Sequence, residues 1–351
     1  MNLVDTFLKL ISIESETGKE DNILYFIETF LEGNNFQGEI KRNNGGIVAV
    51  PSESSKKIAL VGHVDTVPIV PNQQYKFDND DLIGGRGSVD MKGGIAVILH
   101  SLIENSSEIV GVFYTAEESS YEDNGLNIIM PELLRDFDID FAIILEPTDN
   151  EIQLGCLGAL NASLTISGKA AHSARPWVGD NPIYKVKNII KLVEDNEINE
   201  LEIDGLNFKQ VMSITKISSG IANNVIPEIL KLNLNFRYSP ELNGSEAGSY
   251  INDLFSDYVE VEILNTSDGA MPNKSDEKIS EFINKTGAVV QPKQAWTDIA
   301  RFFEHKIPCV NFGPGDPLLA HATNEHVSKK QLLESYELLS GYLGVKSEYM
   351  S

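Results

Sequence analysis

Two patterns of hydrophobic positions alternate along the first part of the chain. Uninterrupted apolar runs occur at Ile58–Val61 within KKIALVGH, in IVGVFYT and in FAIILEPT. Short runs of this kind, bounded by polar residues, predict strands buried on both faces. Between and before them lie segments at helical spacing. MNLVDTFLKLISIES places Val4, Phe7, Leu8 and Ile11 on one face, and MKGGIAVILHSLIEN reads as a further helix. Strands alternating with helices predict a mostly parallel sheet with covered faces, and working residues in such sheets sit just beyond the carboxyl ends of the strands.

The pattern changes after about Gly158. LNASLTISG alternates, NPIYKVKNIIKLVEDN is helical and NFKQVMSITKIS reads as a strand. ILKLNLNFRYSP puts Leu230, Leu232, Leu234 and Phe236 on one face, with Lys231, Asn233, Asn235 and Arg237 on the other. The helix SEAGSYINDLFSDY and the strand VEVEIL complete a β-α-β-β-α-β order. Beyond about Asp268, helix–strand alternation returns through PCVNFG to a terminal helix. The expected fold class is therefore α/β. Residues 1–158 and 269–351 would form a discontinuous domain on a mostly parallel sheet, and residues 159–268 an inserted α+β, ferredoxin-like domain. A length of 351 residues agrees with two cores rather than one.

Composition narrows the role. With 28 Lys+Arg against 52 Asp+Glu the formal charge is -24, which repels phosphate backbones and anionic lipid, so neither nucleic acid nor a membrane is an expected partner. Only two cysteines, Cys156 and Cys309, occur, which fits a reducing compartment rather than a disulfide framework. The N-terminal segment is amphipathic and carries Asp5, which is unlike a secretory signal, and no apolar stretch is long enough to span a bilayer. A cytoplasmic location is expected.

Candidate chemistry gathers at the predicted strand ends. GHVDT supplies His63 and Asp65, two residues apart on one strand face, so Asp65 can hold the His63 ring and leave its other nitrogen for a metal. GGRGSVDMKGG supplies Asp90, TAEES supplies Glu117 and Glu118, LEPT supplies Glu146, and GDPLLAHATNEH supplies His321. Singly, each has a structural or solvated reading, and GGRG lacks the spacing of a dinucleotide loop. Together, nitrogen and oxygen donors without thiolates suit a hydrolytic zinc pair. For an anionic substrate in so acidic a chain, Arg237, Asn223, Thr297 and Arg301 are the candidate donors, because an arginine fork matches a carboxylate. His100, His305 and His326 read as structural or exposed.

The strings VGHVDTVP, GRGSVDMKGG, TAEES, LEPT and HATNEH, in this order, resemble the di-zinc aminoacylase/carboxypeptidase family over essentially the whole chain. WTDIARFFEHKIPCVNFGPGDPLLAHATNEHV, NNVIPE and GKAAHSARPW further resemble its succinyl-diaminopimelate desuccinylases of the Gram-positive (actinobacterial) type. That resemblance implies that His63 and Glu146 ligate one zinc, that Glu118 and His321 ligate the other, and that Asp90 bridges both. Cobalt is an expected substitute. It also implies Glu117 as general base, a cis peptide at Asp90–Met91, and a homodimer through the inserted domain. His172 of AHSARP would then donate to the oxyanion across the dimer. Ser119 stands where the family commonly has a third acidic residue. The implied activity is hydrolysis of N-succinyl-LL-2,6-diaminopimelate, a step towards lysine and peptidoglycan. The alternatives are an N-acetylornithine or N-acetylcitrulline deacetylase, a dipeptidase or carboxypeptidase, and a silent metal-binding protein, for which Glu117 would have no use.

Overall fold

The computed structural model describes residues 1–34, 36–51, 56–69, 76–104 and 109–344. Asn105, at the end of one predicted helix, and residues 345–351 of the terminal block lie outside the described residues. Two compact units result. The first comprises Met1–Leu154, Lys274–Gln291 and Arg301–Ser351, and the second comprises Gly155–Asn273 with Pro292–Ala300.

Strands of the first unit belong to one eight-stranded sheet in the order Gly38–Asn43, Gly46–Pro51, Ile109–Tyr114, Lys56–His63, Asp138–Ile144, Cys309–Asn311, Ile152–Cys156 and Val290–Lys293, the last two of which end on residues of the second unit. The centre is parallel: Lys56–His63 pairs with Ile109–Tyr114 on one side and Asp138–Ile144 on the other, and Asp138–Ile144 pairs in turn with Cys309–Asn311. The predicted apolar runs are these central strands, which are apolar on both faces because both faces are covered. At one margin the pairing is antiparallel, Gly38–Asn43 with Gly46–Pro51 and the latter with Ile109–Tyr114. The hydrophobic pattern does not reveal this hairpin, whose outer strand is largely exposed and polar.

Helix Gly93–Glu104 is buried continuously from Gly93 to Leu102, as expected of a helix apolar all round. It packs so closely that a Cβ on Gly94 would lie 2.1 Å from the Leu145 carbonyl oxygen, which makes glycine obligatory there. Helix Leu3–Ser12, capped by the Asn2 side chain on the Asp5 amide, buries Phe7, Leu10 and Ile11. Helix Leu126–Asp136 carries Pro131 in its interior, which obscures its pattern in the sequence.

The second unit is a five-stranded antiparallel sheet in the order Ile198–Ile203, Leu206–Ser219, Ile229–Tyr238, Gly158–Ser167 and Glu260–Ser267. Helices Pro182–Asp195 and Gly244–Phe255 contribute Ile189, Val193, Ala247, Ile251 and Phe255 to one core with Leu230, Leu232, Leu234 and Phe236. The opposite face carries a polar ladder. Asn161 accepts from Asn233 at 3.2 Å and Asn235 at 3.0 Å, and donates to Asn265 at 3.0 Å. Strand Ile198–Ile203 is an addition to the predicted elements. It joins its neighbour through Asp204 and Gly205, both at positive φ (51° and 67°), the two-residue Asp-Gly turn that ties such hairpins.

His100 is a core residue, in keeping with a structural role. Its Nε2 lies 2.9 Å from Thr6 Oγ1, and its ring packs 5.6 Å from Phe30 and 6.2 Å from Tyr336. Burial pushes its pKa down to about 4 from 6.5. The unfolded chain therefore takes up this proton first as pH falls, so stability is lost from about pH 6.5 downward and the loss is complete near pH 4. This group alone should account for about 3 kcal/mol over that window, at about 1.4 kcal/mol for each pH interval of one. Urea unfolding of wild type and His100→Gln at pH 7 and 4.5 checks this: the variant should be the less acid-sensitive of the two.

Candidate active site

The parallel register aligns the ends of three neighbouring strands. His63 pairs with Tyr114, so the turn carrying Glu117 and Glu118 begins beside it, and Val61 pairs with Ile144, two residues before Glu146. Asp90 sits just before helix Gly93–Glu104, and His321 follows the strand Cys309–Asn311 in the chain. These side chains converge in two groups, His63–Asp90–Glu146 and Asp90–Glu118–His321, with Asp90 common to both. Asp90 turns Oδ1 to His63 Nε2 at 2.9 Å and Oδ2 to His321 Nε2 at 3.2 Å. Glu146 Oε1 lies 3.8 Å from His63 Nε2, and Glu118 Oε1 lies 2.7 Å from His321 Nε2. A shared carboxylate flanked by one histidine and one further carboxylate on each side fits a two-metal site of nitrogen and oxygen donors. Glu117 belongs to neither group.

The electrostatics follow from that crowding. Burial opposes a charge on His63, yet Asp65 and Asp90 hold its pKa well above 6.5. Hydrogen bonds donated to the carboxylates of Asp90 and Glu118 raise His321 to about 10. Burial disfavours charge on Asp90 too, but both imidazoles pull its pKa below the ordinary carboxylate range. The pocket is thus set for cationic charge between its carboxylates, which is what a metal pair supplies.

Buried groups behind the cluster fix its backbone. The Asp65 carboxylate lies 3.5 Å from His63 Nδ1, whereas the Asp65 carbonyl is closer, at 3.1 Å. The carboxylate itself accepts from the amides of Glu117 at 3.0 Å and Glu118 at 3.1 Å, and from Thr17 Oγ1 at 2.8 Å. Asp65 therefore anchors the Glu117–Glu118 turn as well as flanking the His63 ring. Glu325, within HATNEH, is a functional residue that the motif alone does not single out. It accepts from the amides of Val89 at 2.9 Å and Asp90 at 3.2 Å, and pairs with Arg86 at 2.7 Å. A buried glutamate cannot be told from a solvated one by its neighbours in sequence. The Asp90–Met91 peptide is cis, and Ala116 and His321 hold positive φ at 56° and 63°. Non-glycine residues seldom adopt that conformation, and two of the six that do so among the described residues border the cluster.

Arg301, expected at a substrate, is buried and engaged within the first unit. Its guanidinium lies 3.9 Å from the Tyr121 ring centroid, donates to the Tyr121 carbonyl at 2.9 Å and hydrogen-bonds Asn127. Those bonds tie down the segment that follows Glu118. The other candidates lie in the second unit. His172 pairs with Val225 in a short ribbon, and its Nδ1 accepts from the Ala174 amide at 3.1 Å, which leaves Nε2 as the donor of the neutral ring. Asn223 is exposed two residues before Val225. Arg237 is half-buried and donates from Nε to Asn235 Oδ1 at 3.2 Å, with no carboxylate partner among the described residues. Thr297 is buried, and its carbonyl faces Cys156 Sγ at 3.8 Å.

Known proteins resemble this chain in sequence and in fold. The chain is 36% identical over 340 residues to a putative succinyl-diaminopimelate desuccinylase of Mycobacterium tuberculosis, covering 95% of this chain and 96% of that one. It is 35% identical over 348 residues to succinyl-diaminopimelate desuccinylase of Corynebacterium glutamicum, covering 95% and 94%. Among solved structures, an M20 family metallo-carboxypeptidase of Sulfolobus solfataricus has a TM-score of 0.75 at 17% identity, covering 98% and 99% of the two chains. A Staphylococcus aureus tripeptidase has a TM-score of 0.74 at 21% identity, covering 97% and 96%, and both are likenesses of fold. Residues 59–344 match peptidase family M20/M25/M40, and the chain belongs to that family.

Proposed function

We propose that this protein is a two-zinc amidohydrolase that cleaves N-succinyl-LL-2,6-diaminopimelate to succinate and LL-diaminopimelate. The observation that carries the reading is Asp90 facing His63 and His321 with its two oxygens, in a chain more than one-third identical to desuccinylases over nearly its whole length. His63, Asp90 and Glu146 would hold one zinc and Asp90, Glu118 and His321 the other, with cobalt as a substitute. When bound, such a pair acidifies water and polarises an amide carbonyl. Glu117 takes the proton that water loses on attacking the succinyl carbon, and returns it to the amine nitrogen as the C–N bond breaks. Asp65 and Arg301 position the turn that carries Glu117. His172 Nε2 supplies a donor to the developing oxyanion from the partner subunit of a homodimer formed through the second unit. Arg237, Asn223 and Thr297 supply donors to substrate carboxylates, the half-buried Arg237 without a carboxylate of its own being the strongest of these. No helix of the described residues is long and apolar enough to cross a membrane, and the few, buried thiols support a cytoplasmic setting.

Metal content and turnover separate the assigned roles. Wild type should hold about two zinc ions per chain, and Asp90→Ala should weaken both sites. Glu117→Gln should retain both ions and lose at least about a hundredfold in kcat, the scale of a positioned proton carrier. Near-normal turnover of that variant would remove Glu117 from the reaction.

Action in trans is tested by mixing. Glu117→Gln and His172→Ala chains, each inactive alone, should regain part of the activity once subunits exchange. No recovery after verified exchange would place His172 outside the partner's site.

Substrate choice is read from kcat/KM on the succinyl compound against N-acetylornithine and N-acetylcitrulline at equal zinc loading. A donor left unpaired by the missing carboxylate costs about 1–3 kcal/mol, so a preference of roughly tenfold to several hundredfold is expected. Arg237→Lys should lose much of it, because an ammonium cannot reproduce the fork. Preference for an acetyl compound would make the protein a deacetylase.

A further inference from the structure

A cavity of about 420 Å³ lies in the first unit, and none of the five candidate metal ligands lines it. Its size is that of a small-molecule site. Its wall has an unusual charge for this protein. Lys76, Arg86 and Lys92 face it against a single carboxylate, Glu14, in a chain whose net charge is -24.

The cations are under-used. Lys92 is buried, donates once, to the Ile13 carbonyl at 2.6 Å, and has no carboxylate within ion-pair distance among the described residues. Lys76 makes one long bond, to the Ser12 carbonyl at 3.3 Å. Arg86 gives Nη1 to Glu325, but among the described residues its buried Nε lacks a partner, as does the buried hydroxyl of Ser15, another wall residue. A buried ammonium without a counter-charge is costly, and buried polar atoms are nearly always satisfied. The rest of the wall is aliphatic, formed by Ile11, Ile13 and Ile69.

We infer that this cavity is a second binding site, separate from the metal cluster, for a small amphiphilic carboxylate. The carboxylate sits among Lys76, Lys92 and Arg86, and its short hydrocarbon chain lies along the three isoleucines. An anion supplies the counter-charge that Lys92 lacks, and a chain of a few methylenes removes apolar wall from water. A cation or a purely polar ion meets only half of these requirements. The site is independent of which acyl group the metal cluster cleaves, and a binding measurement therefore stands or falls apart from the proposed function.

The test is calorimetric titration of the zinc-loaded, full-length protein with hexanoate, hexylammonium and inorganic phosphate. Hexanoate should bind saturably with a Kd of millimolar order or tighter, and hexylammonium should not bind. Lys76→Glu, at an exposed position, reverses one wall charge. Ile13→Trp fills the aliphatic end without changing charge. Each should weaken hexanoate at least tenfold. Absence of saturable hexanoate binding overturns the site, as does equal binding of hexylammonium. Hexanoate affinity unchanged in both variants places the ligand elsewhere and also overturns it. Phosphate binding without hexanoate binding overturns the amphiphile class.

Discussion

Asp90 must face two imidazoles with two different oxygens, and the first unit is organised around that demand. A carboxylate so placed has no rotational freedom left, so its backbone must be fixed from behind. Glu325 does this by accepting the amides of Val89 and Asp90, and Arg86 neutralises the charge that this buries. Asp65 performs the same service for Glu117 and Glu118, with Thr17 as its further donor. Two carboxylates that touch no candidate metal position thus spend their acceptors on the backbone of four residues at the site. Each would be a costly buried charge without those bonds, so the site and its supports are stable only together.

The donors divide by the stiffness of what carries them. His63 and Glu146 leave parallel strands whose pairing is continuous up to their ends. Glu118 and His321 leave loops, with positive φ at Ala116 and at His321 itself, as there is at Asp149 and Asn150 in the loop that follows Glu146. Arg301 compensates on the Glu118 side. Its guanidinium stacks on Tyr121 and bonds the Tyr121 carbonyl, which restrains the loop that runs away from Glu118. A side chain named from sequence as a substrate donor thus also restrains a turn.

The sequence is informative where a residue's role depends on its own type and its neighbours along the chain. Ile58–Val61, IVGVFYT and FAIILEPT mark central strands because burial on both faces leaves no room for polar residues. The alternation at Leu230–Phe236 marks a one-sided sheet for the complementary reason. It is silent where the role depends on distant partners. Glu325 looks like any glutamate until Arg86 and the Asp90 amide are seen beside it, and Arg301 like any helical arginine until Tyr121 is. Strand Ile198–Ile203 is largely exposed and so lacks an apolar signature, although its Asp204-Gly205 turn is a readable clue. Pro131 hides a helix by breaking its local rule.

A metal cluster of this kind sets the bond that is cut more than the acyl group that is removed, since water activation and carbonyl polarisation act on any amide presented to it. Discrimination must come from donors that are not already used in holding the protein together. By that criterion the arginines named from sequence are not equivalent. Arg301 has given its planar face to Tyr121 and its nitrogens to a carbonyl and an amide oxygen. Arg237 is half-buried, and its burial depresses its pKa without a carboxylate to offset it. It keeps both terminal nitrogens for a ligand, among the described residues. In a chain of charge -24 an anionic substrate is not drawn in from a distance, so affinity has to arise at contact range, where a desolvated and uncommitted guanidinium is strongest.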